Sequence, residues 1–167
     1  MHELIEGLLE YSRVGRTAIS CAQVDVRELL EEIVDSLSPP ERLRVEIGDL
    51  MPVFKADRLQ LSQVFSNLIG NSIKYHGSDT GHIWVKARGS GDFYEFEVSD
   101  DGQGIAPEYH EKVFLMFQTL ETRDYGSNTG IGLALVKKIV QEQGGDITLD
   151  SDTGKGASFR FTWPKRP

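Results

Sequence analysis

An α+β fold, with helices laid on one face of a mixed sheet, is predicted by three observations. Most strands come in hairpin pairs around short glycine turns. The helices are interspersed with those hairpins rather than alternating with single strands. No internal repeat or low-complexity segment interrupts the pattern.

Residues 1–16 read as a helix that has lost its beginning. Leu4, Ile5, Leu8 and Leu9 keep helical spacing, and Tyr11-Ser12-Arg13-Val14-Gly15-Arg16 closes it. Its narrow apolar stripe needs a partner helix that the chain does not obviously contain. Residues 17–24 read as a linker. Asp25 then opens a helix as N-cap, with Glu28 completing a capping box. Val26, Leu29, Leu30, Ile33, Val34 and Leu37 form its buried face, and Pro39-Pro40 stops it. Leu43 to Ile47 alternates as a strand, and Pro52-Val53-Phe54 is a short second one. Asp57 caps the next helix, with Gln60 at the third position. His82 to Ala87 and Phe93 to Val98 are strands around the Gly89-Ser90-Gly91 turn. Pro107 opens a short helix through Phe117, followed by a polar stretch from Gln118 to Asn128. A long helix runs from about Gly130 to Gln143 and stops at Gly144-Gly145. Asp146 to Leu149 and Ala157 to Trp163 are strands around the Gly154-Lys155-Gly156 turn.

The size, 167 residues, suits one domain and an appendage. Hydrophobic residues at 39% and charged residues at 26% describe a soluble globular chain. No apolar run is long enough to span a membrane, and no signal peptide is visible. A single cysteine, Cys21, excludes an internal disulfide and a cysteine-rich zinc site, and fits a reducing compartment. The net charge of -8 argues against non-specific nucleic-acid binding. An acidic chain still binds a polyphosphate where metal and backbone dipoles supply the positive field.

Three polar islands carry the chemistry. In the helix after Asp57, Gln63, Asn67, Asn71 and Lys74 fall within roughly 80° of one another at about 100° per residue. Leu61, Val64, Phe65, Leu68 and Ser72 fill the neighbouring arc. An amide stripe suits Mg²⁺, with Asn71 offering its side-chain oxygen and Lys74 neutralising phosphate. The plain alternative is a polar helix face. The second island, Asp100-Asp101-Gly102-Gln103-Gly104, follows a strand, so its carboxylates sit past a strand end. Asp100 there can accept a hydrogen bond from an exocyclic amine, which adenine supplies, and the glycines let backbone approach a ring. A tight turn is the alternative; a calcium loop is not, because Ile105-Ala106-Pro107 breaks its pattern. The third island, Gly126 to Leu133, is a glycine-rich turn into a helix, and the unpaired N–H groups of such a turn suit phosphate. It lacks both the Lys-Ser/Thr of a P-loop and the strand that precedes a dinucleotide fingerprint. Between the islands, Val113-Phe114-Leu115-Met116-Phe117 places two rings that would pack beneath a mobile loop or in an ordinary core.

In this order the islands resemble the ATP-binding catalytic domain of sensor histidine kinases. That family shares a superfamily with gyrase-type topoisomerases, mismatch-repair ATPases and large heat-shock chaperones. The resemblance covers about residues 25–165. It implies a two-layer α/β sandwich, the Bergerat ATP-binding fold, whose mixed, mostly antiparallel sheet is backed by three helices. It further implies ATP and Mg²⁺ as cofactors, with Asn71 as metal ligand and Asn67, Asn71 and Lys74 as catalytic residues. Tyr75, Asp100, Gly102, Gly104, Ile105, Phe117, Arg123, Thr129, Gly130, Ile131, Gly132 and Leu133 would line the nucleotide site, under a lid at residues 118–128. Asp100 would read the adenine amine with Gly102 and Gly104 under the base, Gly130 and Gly132 would hold phosphate, and Arg123 would reach it from the lid. Tyr-Ser-Arg-Val-Gly-Arg, the stretch from Gln118 to Thr129 and Val136-Lys137-Lys138-Ile139-Val140 look most like the phytochrome-type subfamily.

One departure within the superfamily is informative. The hydrolysing ATPases carry a glutamate base four residues before the metal-binding asparagine, where this chain has Asn67. An amide takes no proton at neutral pH, so the site is expected to hold ATP for transfer rather than hydrolyse it. The resemblance makes residues 1–16 the end of the second dimerisation and phosphoacceptor helix, and residues 25–165 the catalytic domain. None of His2, His76, His82 or His110 sits in an acceptor string: His2-Glu3-Leu4 lacks the Arg-Thr-Pro that should follow. The chain is therefore expected to be a fragment that phosphorylates a supplied acceptor and not itself. His76 is expected to be satisfied or solvated. Expected partners are a response-regulator receiver domain and the missing sensor and phosphoacceptor domains, in the cytoplasm, with neither nucleic acid nor membrane contact. The N-terminal stripe would pair with a second copy as a homodimer, or the chain stays monomeric. A serine or threonine kinase of the same superfamily and a nucleotide-dependent interaction module are the competing functions.

Overall fold

A computed structural model describes residues 2–16, 18–115 and 130–167. In chain order the elements are α1 (His2–Arg13), β1 (Cys21–Asp25), α2 (Val26–Leu37), β2 (Leu43–Ile47), β3 (Val53–Asp57) and α3 (Arg58–Lys74). Then come β4 (Gly81–Ser90), β5 (Phe93–Asp100), two single 3-10 turns (Pro107–Tyr109 and Lys112–Phe114), α4 (Gly132–Glu142), β6 (Ile147–Ser151) and β7 (Ala157–Pro164).

Five strands form one sheet in the order β2-β4-β5-β7-β6, and β1 and β3 make a separate two-stranded ribbon. Only β2 and β4 pair in parallel within the large sheet; its other pairs are antiparallel. The predicted mixed, mostly antiparallel sheet is thus observed. Helices α2, α3 and α4 cover one face of it. Register explains why that face is apolar: Val85, Val98 and Phe159 lie side by side, as do Ala87, Phe96 and Phe161. The intervening row, Lys86, Glu97 and Arg160, points the other way and carries an Arg160–Glu97 ion pair of 2.5 Å. The centre of α3 closes the core. Phe65 is fully buried and meets Phe96 and Phe161 edge-on at 5.3 and 5.2 Å between ring centroids.

Both predicted aspartate caps are present. Asp25 accepts from the Glu28 N–H, and Asp57 accepts from the Gln60 N–H at 3.2 Å. The Gln60 side chain instead receives a bond from Gln143 on α4.

Four expectations change. The segment expected as a linker contains β1, which pairs with β3 on the far side of residues 26–52 (Cys21↔Asp57, Asp25↔Val53). Its only buried side chain is Val24, so the strand has no strong local pattern and exists because a distant partner supplies its hydrogen bonds. The helix expected from Pro107 through Phe117 is instead two 3-10 turns within the described residues. The His110 ring bonds back to the Ile105 carbonyl, and Phe114 packs against Phe159, so tertiary contacts draw the segment away from regular helix. Strand β5 runs two residues further than expected because Asp100 is paired on both sides, with Ile83 and Ala157. Finally, α1 has a partner after all. Lys138 of α4 donates to the Tyr11 carbonyl at 2.9 Å, Val14 is buried, and the backbone of Gly7 lies against Ile131. Ile5, Leu8 and Leu9 remain exposed.

Asp57 is 6% exposed and accepts a second bond, from the Ser20 N–H at 3.3 Å. Asp57→Ala is expected to lower unfolding free energy by about 1–2 kcal/mol, read from the urea midpoint.

Candidate functional site

Strand alternation sets the direction of Asp100. Phe96, Val98 and Asp100 share one face of β5, so the carboxylate points toward the helix layer. There it faces the buried Ser72 of α3 and accepts the Gly102 N–H at 2.9 Å. Burial pushes the Asp100 carboxyl above the usual aspartate value. The Gly102 N–H, together with the nearby Ser72 hydroxyl and Ala157 backbone, opposes that shift without cancelling it. An acid held half-buried with so few donors is suited to receive one more.

The loop after β5 is clamped against the β6–β7 turn. Gly154 donates to the Gln103 carbonyl and Gly156 to the Gly102 carbonyl, at 2.6 and 3.0 Å. Ile105 donates to the Ser151 hydroxyl at 2.8 Å. Two glycines make the approach feasible. Gly104 has φ +72, and a Cβ there would lie 1.9 Å from the Asp152 carbonyl oxygen. Gly156 has φ +71, and its Cβ would lie 1.9 Å from the Asp100 carbonyl oxygen. Both positions combine a left-handed backbone with no room for a side chain. At Gly102 the constraint is space alone, since a Cβ would meet the His76 carbonyl oxygen at 2.6 Å.

The helix α3 reaches the third island as well. Asn67 is half-buried, donates to the Gln63 carbonyl at 2.7 Å and turns its amide oxygen toward Gly132. A Cβ at Gly132 would stand 2.8 Å from that oxygen. One helix therefore borders Asp100 at Ser72 and the start of α4 at Asn67. Asn71, one turn beyond Asn67, is half-buried, and its side chain has no hydrogen-bond partner among the described residues. Lys74 is exposed at the last turn, with its Nζ 5.6 Å from the Tyr75 ring centroid. The start of α4 differs from those of α2 and α3. Ile131 is its N-cap, buried, and among the described residues no capping side chain accepts from its first-turn N–H groups. Those donors and the positive end of the helix dipole suit an anion. Gly130 and Leu133 flank this start. Phe117, Arg123 and Thr129, and the lid expected at residues 118–128, lie outside the described residues.

Sequence reasoning placed Ser72 in the apolar arc and passed over Asp101, Gln103 and Ser151. Ser72 is indeed buried, and its hydroxyl lies beside Asp100 without a hydrogen-bond partner among the described residues. A serine within an otherwise apolar helix arc was the available signal. His76 is satisfied on one side, its Nε2 lying 2.7 Å from Asp101 Oδ1. Neither it nor the other described residues form a cluster able to bind a metal through histidine, cysteine and carboxylates. The amide oxygen of Asn71 is a different donor type, and a hard cation that keeps much of its water and takes phosphate oxygens needs few protein ligands.

Residues 56–167 match the family described as histidine kinase-, DNA gyrase B- and HSP90-like ATPase. The chain belongs to that family. Within it, the chain carries the ATP-binding catalytic domain of a sensor histidine kinase. It is 37% identical over 167 residues to the phytochrome-like protein Cph1 of Synechocystis sp., covering 98% of this chain and 22% of that protein. It is 35% identical over 169 residues to the methanogenesis regulatory histidine kinase FilI of Methanothrix harundinacea, covering 98% of this chain and 19% of that protein. The chain thus spans about a fifth of the length of these relatives. Among solved structures, full-length ShkA in complex with AMPPNP superposes with a TM-score of 0.81 at 28% identity, over 96% of this chain and 35% of that one. The catalytic domain of histidine kinase ThkA in a nucleotide-free form matches with a TM-score of 0.70 at 27% identity, over 89% of this chain and 97% of that one. No helix among the described residues of this histidine kinase domain is long and apolar enough to cross a membrane.

The clamp around Gly156 gives a direct test. Gly156→Ala is expected to cost more than about 2 kcal/mol in urea unfolding, because strain and collision act together. ADP affinity should fall with it, since the collision is with the Asp100 backbone.

Proposed function

We propose that this histidine kinase domain holds Mg-ATP between Asp100 and the start of α4, and passes the γ-phosphoryl group to a histidine on a dimerisation domain. The observation that carries the reading is the reach of α3. Ser72 faces Asp100, Asn67 faces Gly132, and the two lie about 7.5 Å apart along the helix axis. Asn71 lies between them in sequence with its amide uncommitted.

In this reading Asp100 accepts the adenine amine, while Gly102, Gly104, Ile105 and Tyr75 border the base. The N–H groups at Gly130 to Leu133 hold phosphate oxygens. Asn71 would hold Mg²⁺, which when bound neutralises the phosphate charge and keeps the chain in position. Lys74 adds a mobile positive charge at the same end. Phe117, Arg123 and Thr129 complete the proposed site on the segment that joins the two turns to α4.

The chain's own residues position the nucleotide and supply no covalent step, as phosphoryl transfer allows. Asn67 supports transfer over hydrolysis. Its amide is bound to the Gln63 carbonyl and offers no base to a water molecule. We assign residues 1–16 to the end of the second dimerisation helix and residues 25–165 to the catalytic domain. The acceptor domain, the sensor region and a response-regulator receiver domain are the proposed partners, and the cytoplasm is the proposed compartment. The exposed Ile5, Leu8 and Leu9 support pairing of that helix with a second copy.

The test supplies a separate acceptor hairpin, Mg²⁺ and ATP labelled on the γ-phosphate. Acid-labile, alkali-stable label on the acceptor is expected, with none on the domain itself. Acid-stable label would overturn the histidine assignment in favour of a hydroxyl acceptor.

Asp100→Asn should weaken ADP binding about 10- to 100-fold, since a charged acceptor bond is lost. The pH dependence follows from burial. The raised Asp100 carboxyl takes up its proton at a higher pH than an ordinary aspartate, and the protonated form is the weaker acceptor. ADP affinity is therefore full well above that pH and falls on acidification before ordinary aspartates titrate. Calorimetry across this range should show that loss in the parent chain and not in Asp100→Asn, where only the titration of ADP itself remains.

A further inference from the structure

We propose that His76 is a positioning residue for base recognition: its ring pins Asp101, and so holds the neighbouring Asp100 at the adenine. The inference rests on the nucleotide reading above and names a residue that the reading does not use.

His76 follows the last turn of α3, and its side chain is 3% exposed. Its Nε2 lies 2.7 Å from Asp101 Oδ1, which also accepts the His82 N–H at 2.9 Å. A carboxylate only accepts, so Nε2 carries the proton and the ring is the donor. The opposite ring atom, Nδ1, is buried without a protein partner among the described residues. The ring is thus oriented by one bond, and that bond leads to the loop after β5.

Two backbone-level bonds run beside it. Gln103 donates its N–H to the His76 carbonyl at 2.9 Å, and its side-chain amide donates to the Tyr75 carbonyl at 2.9 Å. The end of α3 is therefore stitched to residues 101–103. Space confirms the fit: a Cβ at Gly81 would fall 2.6 Å from both Asp101 Oδ1 and the His76 ring.

The need for such a pin follows from position. Asp100 is the last residue of β5, so no further rung of the ladder follows it to hold the loop that begins at Asp101. Its next neighbour is a second carboxylate, and two adjacent negative charges push the loop apart unless one is compensated. Burial works against charge on Asp101, but the His82 N–H and the His76 ring outweigh it and hold that carboxyl below the usual range. Asp101 thus stays charged and bound to α3, while Asp100 is left for the ligand. His76 does not touch the base; it acts through Asp101.

The experiment compares the folded parent chain with His76→Leu, His76→Gln and Asp101→Ala, using ADP and GDP as probes. His76→Gln keeps a donor, and Asp101 is half-exposed, so Asp101→Ala tests the pin where His76→Leu fails to fold. Each variant is first checked by circular dichroism. The proposal expects ADP affinity to fall about tenfold in His76→Leu and in Asp101→Ala. GDP affinity should change less than about twofold, because guanine carries an oxo group where adenine carries its 6-amine and so has no such bond to lose, and His76→Gln should recover most of the ADP affinity. The double variant should be no weaker than the weaker single one, as for two residues that act as a pair. Unchanged ADP affinity in folded variants, or equal losses for ADP and GDP, would overturn the positioning role while leaving the nucleotide site intact. A parent chain that binds neither nucleotide would overturn the nucleotide reading itself, and this inference with it.

Discussion

Phe65 stands at the middle of α3 with its ring against Phe96 and Phe161, from two neighbouring strands of the sheet. Edge-on pairs of this kind contribute about 0.5–1.5 kcal/mol each beyond the area they bury. Their larger effect is geometric. A helix seated on two strands through one ring has little freedom to slide or roll, so the faces that flank Phe65 are set with it. Two residues on, Asn67 is turned to α4; seven residues on, Ser72 is turned to β5. The polar ends of the site are thus positioned by an apolar contact on the same helix.

The two ends are built differently. At the Asp100 end, backbone meets backbone: Gly104 lies against Asp152, and Gly156 against Asp100, at separations that admit no Cβ. Close packing of this kind leaves few alternative arrangements. At the α4 end the structure offers donors rather than contacts, since Ile131 caps the helix without a side-chain bond. A stiff end and an end that offers backbone donors suit the proposed placement of a flat ring and a charged chain. The bond from Gln143 to Gln60 ties the far end of α4 to the first turn of α3, so the two helices move as a pair.

Helix α1 joins this arrangement from outside. Lys138 both donates to the Tyr11 carbonyl and sits 4.2 Å from the Tyr11 ring centroid. Gly7 lies against Ile131, the residue that caps α4. Helix α1 therefore rests on α4 close to its start. Its remaining apolar residues, Ile5, Leu8 and Leu9, face outward.

The sequence by itself determined what depends on neighbours in the chain. The caps at Asp25 and Asp57 are bonds across three residues, the hairpins follow from glycine turns, and the alternation of β5 is local. The order of the three islands was enough to indicate the family. Tertiary structure decided whatever depends on a partner far along the chain. Strand β1 exists because β3 reaches it, and the segment after Pro107 coils in single turns where Phe114 packs on distant Phe159. Ser72 lies beside Asp100 and His76 bonds Asp101 across 28 and 25 positions, and no spacing rule reports such approaches. Hydrogen bonds and burial act over a few ångströms, and only the folded chain decides which distant residues come within that range.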